Sequence, residues 1–459
     1  MNAQQYSGAL YQAHDDFKEE SLKDRRFKHA DVKRLIQDLR SKNSFEIKEE
    51  GKSVEDRSIY HLTYGSGKTV LLLWSQMHGD EPTATMALFD IFNFLSGKND
   101  GFDDLRKAIK ENLTLHFIPM LNPDGAERYQ RRNAMNVDLN RDAQVLEFPE
   151  SKILKRVRDE TNADFGFNLH DQSNYYNVDK TANTAAISFL APAYNYEKEI
   201  NSTRSKAMQT IVVMNEVVQQ ILPGHVGRYN DDFEPRAFGD NIQKWGTSTI
   251  LVEAGGIRGD DEKQFNRKIH FTMLLSGFLA LADGSYENME VSAYENIPKN
   301  DRKMVDLIIR NISVESPIGL KTMDIAINRE EVQNDAATDF YYNSKIADLG
   351  DLSTFFGYQE FEASAYNYKK AKVFDQDLAK IGDLKNLDLN ALLSQGISEF
   401  ICPSMKESFE INSLPVNVHK SARDIDIELK PDANPSFFLE KDGILEYGII
   451  NGFMIQLNK

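Results

Sequence analysis

The stretch LLLWSQMHGDEPTATMALF, residues 71–89, changes from one structural pattern to another at its centre. The apolar run that begins at Leu71 is typical of a buried strand, and the apolar residues after Pro82 recur with a helical period. A histidine, a glycine and two carboxylates, His78–Glu81, stand at the junction. Gly79 permits a tight turn, and Pro82 suits the first position of a helix. The stretch therefore predicts a strand, a turn and a helix, with potential metal ligands in the turn.

The same alternation of strand and helix patterns extends outward over residues 30 to 285. Strand patterns are SIYHLTYG, KTVLLLWSQ, NLTLHFIPML, DFGFNLHDQ and TSTILVEAGG, and helical patterns include TATMALFDIFNFLSG, KAMQTIVVMNEVVQQIL and QFNRKIHFTMLLSGFLALA. Such alternation is typical of a mainly parallel or mixed sheet flanked by helices on both faces. We therefore predict the α/β class for this part of the chain.

The composition changes near DGSYENMEVSAYENIPKNDRK, residues 283–303. Short alternating runs such as VDLIIRNISVE and DIDIELK follow, and the ending GILEYGIINGFMIQL indicates a hairpin. We therefore predict two domains, a catalytic domain over residues 1–290 and a β-rich accessory domain, a sandwich or barrel, over residues 300–459.

The overall composition disfavours some classes of binding partner. The formal net charge of -17 disfavours binding to nucleic acid or to an anionic membrane surface. It fits solvated acidic faces or a preference for cationic substrates. Cys402 is the only cysteine, so no intrachain disulfide can form. No signal-peptide pattern or membrane-spanning run is visible in the sequence, and we therefore expect a cytoplasmic protein if Met1 is the native start.

Three side chains at predicted strand ends form a metal-ligand pattern. His78 and Glu81 are separated by a turn that lets an imidazole nitrogen and a carboxylate oxygen approach one ion. His170 ends the apolar strand FGFNL, and the carboxyl ends of parallel strands meet at one edge of the sheet. Two histidines and one carboxylate are the ligands of a catalytic zinc ion, which activates water as a nucleophile. We therefore predict one Zn²⁺ held by these three residues.

The order of the motifs resembles the M14 family of zinc metallocarboxypeptidases. HGDE, NPDG, RRNAMNVDLNRD, LHDQ and ILVEAGG follow one another as the family pattern does, over residues 30 to 285. The resemblance implies that Glu253 is the general base for a metal-activated water. It also implies that Arg131, Asn140 and Arg141 hold the terminal carboxylate of a peptide or small amide substrate, and an arginine can grip a carboxylate with two hydrogen bonds.

Two positions depart from the family pattern. Asp80 stands where members of the pancreatic type have an arginine, so one contact to the scissile carbonyl is missing or is supplied by Arg131. Asn136 replaces a usual glycine, and asparagine tolerates the left-handed backbone conformation. Tyr229 lies at a suitable distance before Glu253 for the tyrosine that caps the substrate, but a packed or solvent-facing loop tyrosine fits equally well.

Other polar residues near the motifs have structural alternatives. Asp171 follows a predicted ligand and either orients an imidazole or caps the next turn. His116 lies in a strand pattern and His270 in a helical pattern, which favours structural roles for both.

Three functions remain open from the sequence. The first is hydrolysis of a C-terminal peptide bond. The second is zinc-dependent deacylation of an N-acyl amino acid, as in aspartoacylase and succinylglutamate desuccinylase. The third is an inactive peptide-binding module. The retained ligands and base favour an enzyme, and the NPDG and ILVE segments favour the peptidase. No motif marks the side-chain specificity in residues 171 to 250.

Overall fold

The computed structural model describes residues 3–405 and 415–457. The chain divides into two compact units, Met1–Arg302 and Lys303–Lys459. The division lies at the end of the segment in which the composition changes. None of the helices in the described ranges is both long enough and apolar enough to cross a membrane.

The first unit alternates helices and strands. Its helices are α1 Ala3–Phe17, α2 His29–Lys42, α3 Thr83–Ser96, α4 Asp103–Asn112, α5 Pro123–Glu127, α6 Pro149–Thr161, α7 Ser202–Ile221, α8 Phe238–Lys244, α9 Gln264–Asp283 and α10 Val291–Glu295. Its strands are β1 Glu46–Lys52, β2 Ser58–Gly65, β3 Thr69–Ser75, β4 Leu113–Ile118, β5 Phe165–Asp171, β6 Asn177–Val178, β7 Ile187–Leu190, β8 Val226–Arg228, β9 Ser248–Ala254 and β10 Asn300–Asp301.

The main sheet of this unit is mixed. Its strand order is β1-β2-β4-β3-β5-β9-β7-β8. The four central strands β4, β3, β5 and β9 are parallel, whereas β2 pairs antiparallel with β4 and β7 pairs antiparallel with β9. Since β4 and β5 lie on opposite sides of β3, a crevice opens at the carboxyl end of β3.

Helices cover both faces of the sheet, which confirms the predicted α/β class. Leu71 and Leu73 of β3 belong to the larger core, with residues of α3, α7 and α9, whereas Leu72 and Trp74 belong to a second core, with residues of α6 and α8. The alternation follows from the twofold repeat of a strand. Because both faces are buried, the strand reads as a continuous apolar run.

The second unit is rich in strands. They are β11 Met304–Val314, β12 Lys321–Gln333, β13 Phe340–Gly350, β14 Phe356–Glu362, β15 Asn367–Lys370, β16 Lys372–Val373, β17 Ile397–Ile401, β18 Asn417–His419, β19 Phe437–Lys441, β20 Ile444–Ile450 and β21 Phe453–Gln456, with the short helix α11 Leu389–Leu393.

Most strands of the second unit form one eight-stranded sheet, and β16, β17 and β18 form a separate sheet of three. The predicted C-terminal hairpin is present, since β20 pairs antiparallel with β21. The backbone N–H of Ser344 on β13 donates to the side chain of Asn451 in the turn between β20 and β21. This hydrogen bond joins the two ends of the strand order, so the sheet curves toward closure.

Candidate metal centre and active site

The turn after β3 is built by close backbone packing. A Cβ atom at Gly79 would lie 2.0 Å from the carbonyl carbon of Gly125, so a side chain cannot fit. Asn122 supports the same turn, because its Nδ2 donates to the carbonyl of Met77 at 3.2 Å. Glycine is therefore needed here for the close approach of two loops. Pro82 precedes α3 as its N-cap, one position earlier than predicted.

His78, Glu81 and His170 come together at the carboxyl edge of the sheet. One ligand atom from each lies within 4.8 Å of the others, and all three residues are buried. The carboxylate of Glu81 lies between the rings, with Oε1 2.7 Å from Nδ1 of His78 and Oε2 2.6 Å from Nδ1 of His170. The three predicted ligands therefore converge on one small volume.

The donor atoms of this cluster fit a zinc ion. The two Nδ1 atoms are 3.1 Å apart, and two imidazole lone pairs directed at each other repel unless a proton or cation lies between them. Nε2 of His78 is 3.0 Å from Oδ1 of Asp138, which favours a proton on Nε2 and a free lone pair on Nδ1. Two imidazole nitrogens and one carboxylate are a donor set that zinc takes in catalytic sites.

The electrostatics of the cluster favour a cation. Burial lowers the pKa of His78, but the charge of Glu81 and the hydrogen bond to Asp138 outweigh it and raise the pKa to about 9. Burial opposes ionisation of Glu81, yet the two histidines hold the pKa of its carboxyl well below the usual range. Burial lowers the pKa of His170. The ionised carboxylates around His78 therefore stabilise a positive charge in this buried cluster.

Glu253 lies beside the cluster on the neighbouring strand. It is the register partner of His170 in the parallel pair of β5 and β9. Burial and the nearby charge of Glu81 raise the pKa of Glu253 well above its ordinary value. A carboxyl group with a raised pKa binds a proton readily, which is the property a general base needs near neutral pH.

Arg131 lies against the cluster. Its Nη2 donates to Oδ2 of Asp138 at 3.0 Å, and its Nη1 donates to Oε1 of Glu81 at 3.2 Å. Burial lowers the pKa of Arg131, but Glu81 and Asp138 outweigh it and raise the pKa, so the guanidinium stays charged.

Asn140 and Arg141 lie on a single turn of 3-10 helix, Leu139–Arg141, that follows Asp138. The backbone N–H of Phe238, at the start of α8, donates to Oδ1 of Asn140 at 2.8 Å. This contact uses Oδ1 of Asn140, so the Nδ2 group remains able to donate hydrogen bonds to other partners. Nε of Arg141 lies 3.6 Å from a carboxylate oxygen of Glu234, and the side chain remains 38% exposed. Two of the three predicted carboxylate contacts, Asn140 and Arg141, therefore lie within the 3-10 turn beside Asp138, and the third, Arg131, lies outside it.

Tyr229 is half-buried and lies within electrostatic range of Glu253. Burial raises its pKa, and so do the charge of Glu253 and a hydrogen bond to Tyr176. The rings of Tyr176 and Tyr229 are 5.4 Å apart. The tyrosine is therefore close to the predicted catalytic carboxylate rather than directed into solvent.

Some residues that contact the site were not among the predicted site residues. Asp138 lies in the DLNR segment, next to predicted site residues in the sequence. Its hydrogen bond to His78 appears only in the structure. Tyr176 has no sequence signal. Asp171 matches neither predicted alternative: its Oδ2 accepts from the hydroxyl of Thr83 at the start of α3 at 2.6 Å, and its backbone N–H donates to Glu81.

Comparisons with known proteins address the first unit. Residues 32–217 match the model of the zinc carboxypeptidase family, peptidase M14. Carboxypeptidase SOL1 of Arabidopsis thaliana is 42% identical over 87 residues, which cover 19% of this chain and 18% of that protein. Carboxypeptidase D of Homo sapiens is 32% identical over 107 residues, which cover 20% of this chain and 8% of that protein. The chain thus covers less than a fifth of either relative.

Among solved structures, a metallo-carboxypeptidase from Burkholderia cenocepacia aligns with a TM-score of 0.45 and 17% identity, over 55% of this chain and 68% of that chain. The buried pair of histidines with a carboxylate, at the carboxyl edge of a mixed sheet, is a group that could hold a metal ion. The match of residues 32–217 to the model of the zinc carboxypeptidase family, M14, confirms the resemblance seen in the motifs.

Proposed function

We propose that the chain is a zinc-dependent carboxypeptidase that removes the C-terminal residue of a peptide. The convergence of His78, Glu81 and His170, with Glu253 on the adjacent strand, supports this proposal most strongly. The family match to residues 32–217 ends before Glu253, so the base is supported by its position rather than by that match.

Three side chains of the chain would hold the metal, His78 and His170 through Nδ1 and Glu81 through its carboxylate. Zinc bound to such a set supplies Lewis-acid chemistry for amide hydrolysis. Glu253 takes a proton from the attacking water, holds it on its carboxyl group, and passes it to the nitrogen of the leaving amine. The raised pKa of Glu253 suits the carboxyl group for holding this proton between the two steps.

Recognition of the substrate terminus rests on Asn140 and Arg141. The Nδ2 group of Asn140 and the guanidinium of Arg141, whose side chain is 38% exposed, donate hydrogen bonds to the terminal carboxylate. Two charge-assisted bonds from one guanidinium fix both the position and the orientation of a carboxylate. Binding at a fixed distance from the metal ligands restricts cleavage to the last peptide bond.

The test compares peptides of one sequence with a free or an amidated C-terminus, together with N-acyl amino acids. We expect release of the last residue from the free acid, loss of activity on chelation, and recovery with zinc. Poor cleavage of the amidated peptide is expected because it cannot pair with Arg141. Equal cleavage of both peptides would exclude a carboxypeptidase, and exclusive cleavage of N-acyl amino acids would identify a deacylase.

A further inference from the structure

The guanidinium group of Arg141 has one open edge. Its Nη1 donates to the carbonyl of Asn140 at 2.7 Å, whereas its Nη2 makes no hydrogen bond within the part of the chain that the structure describes. Nε and Nη2 lie side by side on a guanidinium group and form a fork that matches the two oxygens of a carboxylate. The Nε–Nη2 edge of Arg141 is therefore the edge at which a carboxylate can bind with two hydrogen bonds.

Glu234 lies beside this open edge without occupying it. Its Oε2 is 3.6 Å from Nε of Arg141, which is longer than the ~3.2 Å limit of an ordinary N–H···O hydrogen bond. The side chains of Arg141 and Glu234 are 38% and 31% exposed, so both can be reached from solvent. The carboxylate of Glu234 therefore stands next to an edge that a substrate terminus can also reach.

Arg236 holds Glu234 in this position. Nε and Nη2 of Arg236 donate to Oε1 and Oε2 of Glu234 at 3.0 and 2.8 Å, and the backbone N–H of Arg236 donates to Oε1 at 3.1 Å. The hydrogen bonds from Arg236 lower the pKa of Glu234 to about 2, so this carboxylate is ionised at neutral pH. Arg236 thus offers Glu234 the same Nε–Nη2 edge that Arg141 leaves open.

Two hydrogen bonds of the backbone dock the segment around Arg236 beside the 3-10 turn. The N–H of Ala143, just after that turn, donates to the carbonyl of Arg236 at 3.2 Å. The N–H of Phe238 donates to Oδ1 of Asn140 at 2.8 Å. These contacts fix the segment on both sides of Arg236, so the carboxylate of Glu234 stays within reach of both guanidinium groups.

The geometry sets up a competition for Arg141. Among the residues that the structure describes, Arg141 and Arg236 are the two basic side chains that form ion pairs with Glu234. Loss of Arg236 therefore leaves Arg141 as the remaining ionic partner, with an open edge that fits a carboxylate. The side chain of Glu234 and the terminus of a peptide present the same group to that edge. Because water screens exposed ion pairs, the competition weakens substrate binding by a small factor rather than abolishing it.

We infer that Arg236 is a positioning residue that keeps Glu234 off the open edge of Arg141, so that this edge receives the terminal carboxylate of the substrate. The inference rests on the proposed function, in which Arg141 binds that carboxylate. It adds that Glu234 is an internal competitor for the substrate terminus and that Arg236 sets the strength of the competition.

The test uses the full-length zinc-loaded protein and a peptide with a free C-terminus. We expect Arg236→Gln to raise KM by ~3- to 5-fold with kcat unchanged, because a released Glu234 opposes binding of the substrate and of the transition state alike. Glu234→Gln should lower KM by ~2- to 5-fold, because a neutral amide does not offset the charge of Arg141. An unchanged KM in Arg236→Gln, or a raised KM in Glu234→Gln, would overturn the inference.

The double variant Arg236→Gln with Glu234→Gln separates positioning from direct contact with the substrate. We expect its KM to match that of Glu234→Gln, since Arg236 acts only through Glu234. A KM that is still raised in the double variant, relative to Glu234→Gln, would show that Arg236 contacts the substrate itself and would contradict the inference. Arg34→Gln makes the same change of net charge at an exposed position of α2. It is the matched control and should leave KM unchanged.

Binding separates this inference from the proposed function. In a Glu253→Gln background, calorimetry measures the affinities of the free-acid peptide and of its amidated form. We expect Arg236→Gln to weaken binding of the free acid by ~3- to 5-fold and to leave binding of the amidated peptide unchanged. This pattern of binding, together with no cleavage by the wild type, would refute the proposed function alone. Cleavage by the wild type, with free-acid affinity unaffected by Arg236→Gln, would refute the inference alone.

Discussion

At the scale of single residues, Asp138 decides which nitrogen of His78 faces the other ligands. Its Oδ1 lies 3.0 Å from Nε2 of His78, and its Oδ2 binds Arg131. Burial opposes ionisation of Asp138, but His78 and Arg131 hold the pKa of its carboxyl well below the usual range. Asp138 is therefore an ionised hydrogen-bond acceptor that fixes the ring of a predicted metal ligand.

We expect Asp138→Ala to weaken zinc binding by ~10- to 100-fold, because the ring of His78 loses its orientation and some basicity. Competition with a chelator of known affinity measures the change. Asp159→Ala, which removes a carboxylate paired with Lys155 on α6, is the control. Equal zinc affinities in the wild type and in Asp138→Ala would contradict this role.

Glu253→Gln keeps the shape of the base but cannot take a proton. We expect zinc content and the thermal midpoint to stay near those of the wild type while turnover falls by ~10²- to 10⁴-fold. Glu262→Gln, on the loop that follows β9, should keep its activity. An active but destabilised Glu253→Gln would show that this carboxylate has a structural role only.

His270 gives a prediction for the pH dependence of stability. Burial lowers its pKa to about 4, despite the hydrogen bond of its Nδ1 with the carbonyl of Asn266. The folded state thus binds this proton less readily than the unfolded state, whose histidine pKa is about 6.5. The stabilisation is complete above about pH 6.5 and is lost as the pH falls toward 4, by an amount of order 3 kcal/mol.

His270→Leu should flatten this part of the pH profile. Urea unfolding of the wild type and the variant between pH 7.5 and 4 measures the difference in the free energy of unfolding. As the pH falls, the free energy of unfolding should decrease less in the variant than in the wild type. Parallel profiles over this range would show that His270 is not buried in its neutral form.

At the scale of elements, a buried ion pair holds helix α1 against the rest of the first unit. Asp90 on α3 receives hydrogen bonds from Nε and Nη2 of Arg267 on α9, at 2.7 and 2.5 Å. Nε2 of His14 on α1 lies 2.9 Å from the same carboxylate, and the backbone N–H of Glu19 donates to it. One carboxylate therefore joins three helices.

We expect Asp90→Ala to destabilise the first unit by about 3–5 kcal/mol, since it leaves the guanidinium of Arg267 buried and unpaired. Denaturant unfolding measures the loss, and hydrogen exchange should show early opening of α1. The double variant Asp90→Leu with Arg267→Met should be more stable than Asp90→Ala. A loss below about 1 kcal/mol in Asp90→Ala would contradict the role of the pair.

Some elements of the fold are encoded more plainly in the sequence than others, for physical reasons. β3, β5 and β9 were predictable because strands buried on both faces are apolar throughout. The helix α1 was missed, since its segment AQQYSGALYQAHDDF is largely polar and contains glycine. The position of β7 between β9 and β8 was also missed, because a strand pattern does not specify its neighbours.

The candidate site shows the same contrast. The predicted ligands and base stand at strand ends within short motifs, which the sequence displays directly. Asp138 and Tyr176, by contrast, contact residues that are far away in the sequence, so the sequence does not display their roles.

At the scale of the whole molecule, the chain has two units with separate cores. The predicted metal ligands all lie in the first unit. Binding to the folded state stabilises only the unit that binds, by about 4 kcal/mol when free ligand is 1,000 times the dissociation constant.

Differential scanning calorimetry should therefore show two transitions, of which only one responds to zinc. We expect a chelator to lower the midpoint of that transition and to leave the other in place. His78→Ala should remove the response without abolishing either transition. A shift of both midpoints by the chelator would contradict the assignment of the metal to the first unit alone.

The strand order also sets a sequence of events during synthesis. β3 precedes two of the predicted metal ligands, and β5 carries the third. β9, which carries Glu253, is synthesised later and pairs with the free edge of β5. At ~5–20 residues per second, the ribosome adds Glu253 roughly 4 to 17 seconds after His170. We therefore expect a nascent chain stalled before Ser248 to capture zinc but to hydrolyse nothing. Under the proposed function, the order of translation thus completes the set of metal ligands before it supplies the base that hydrolysis requires.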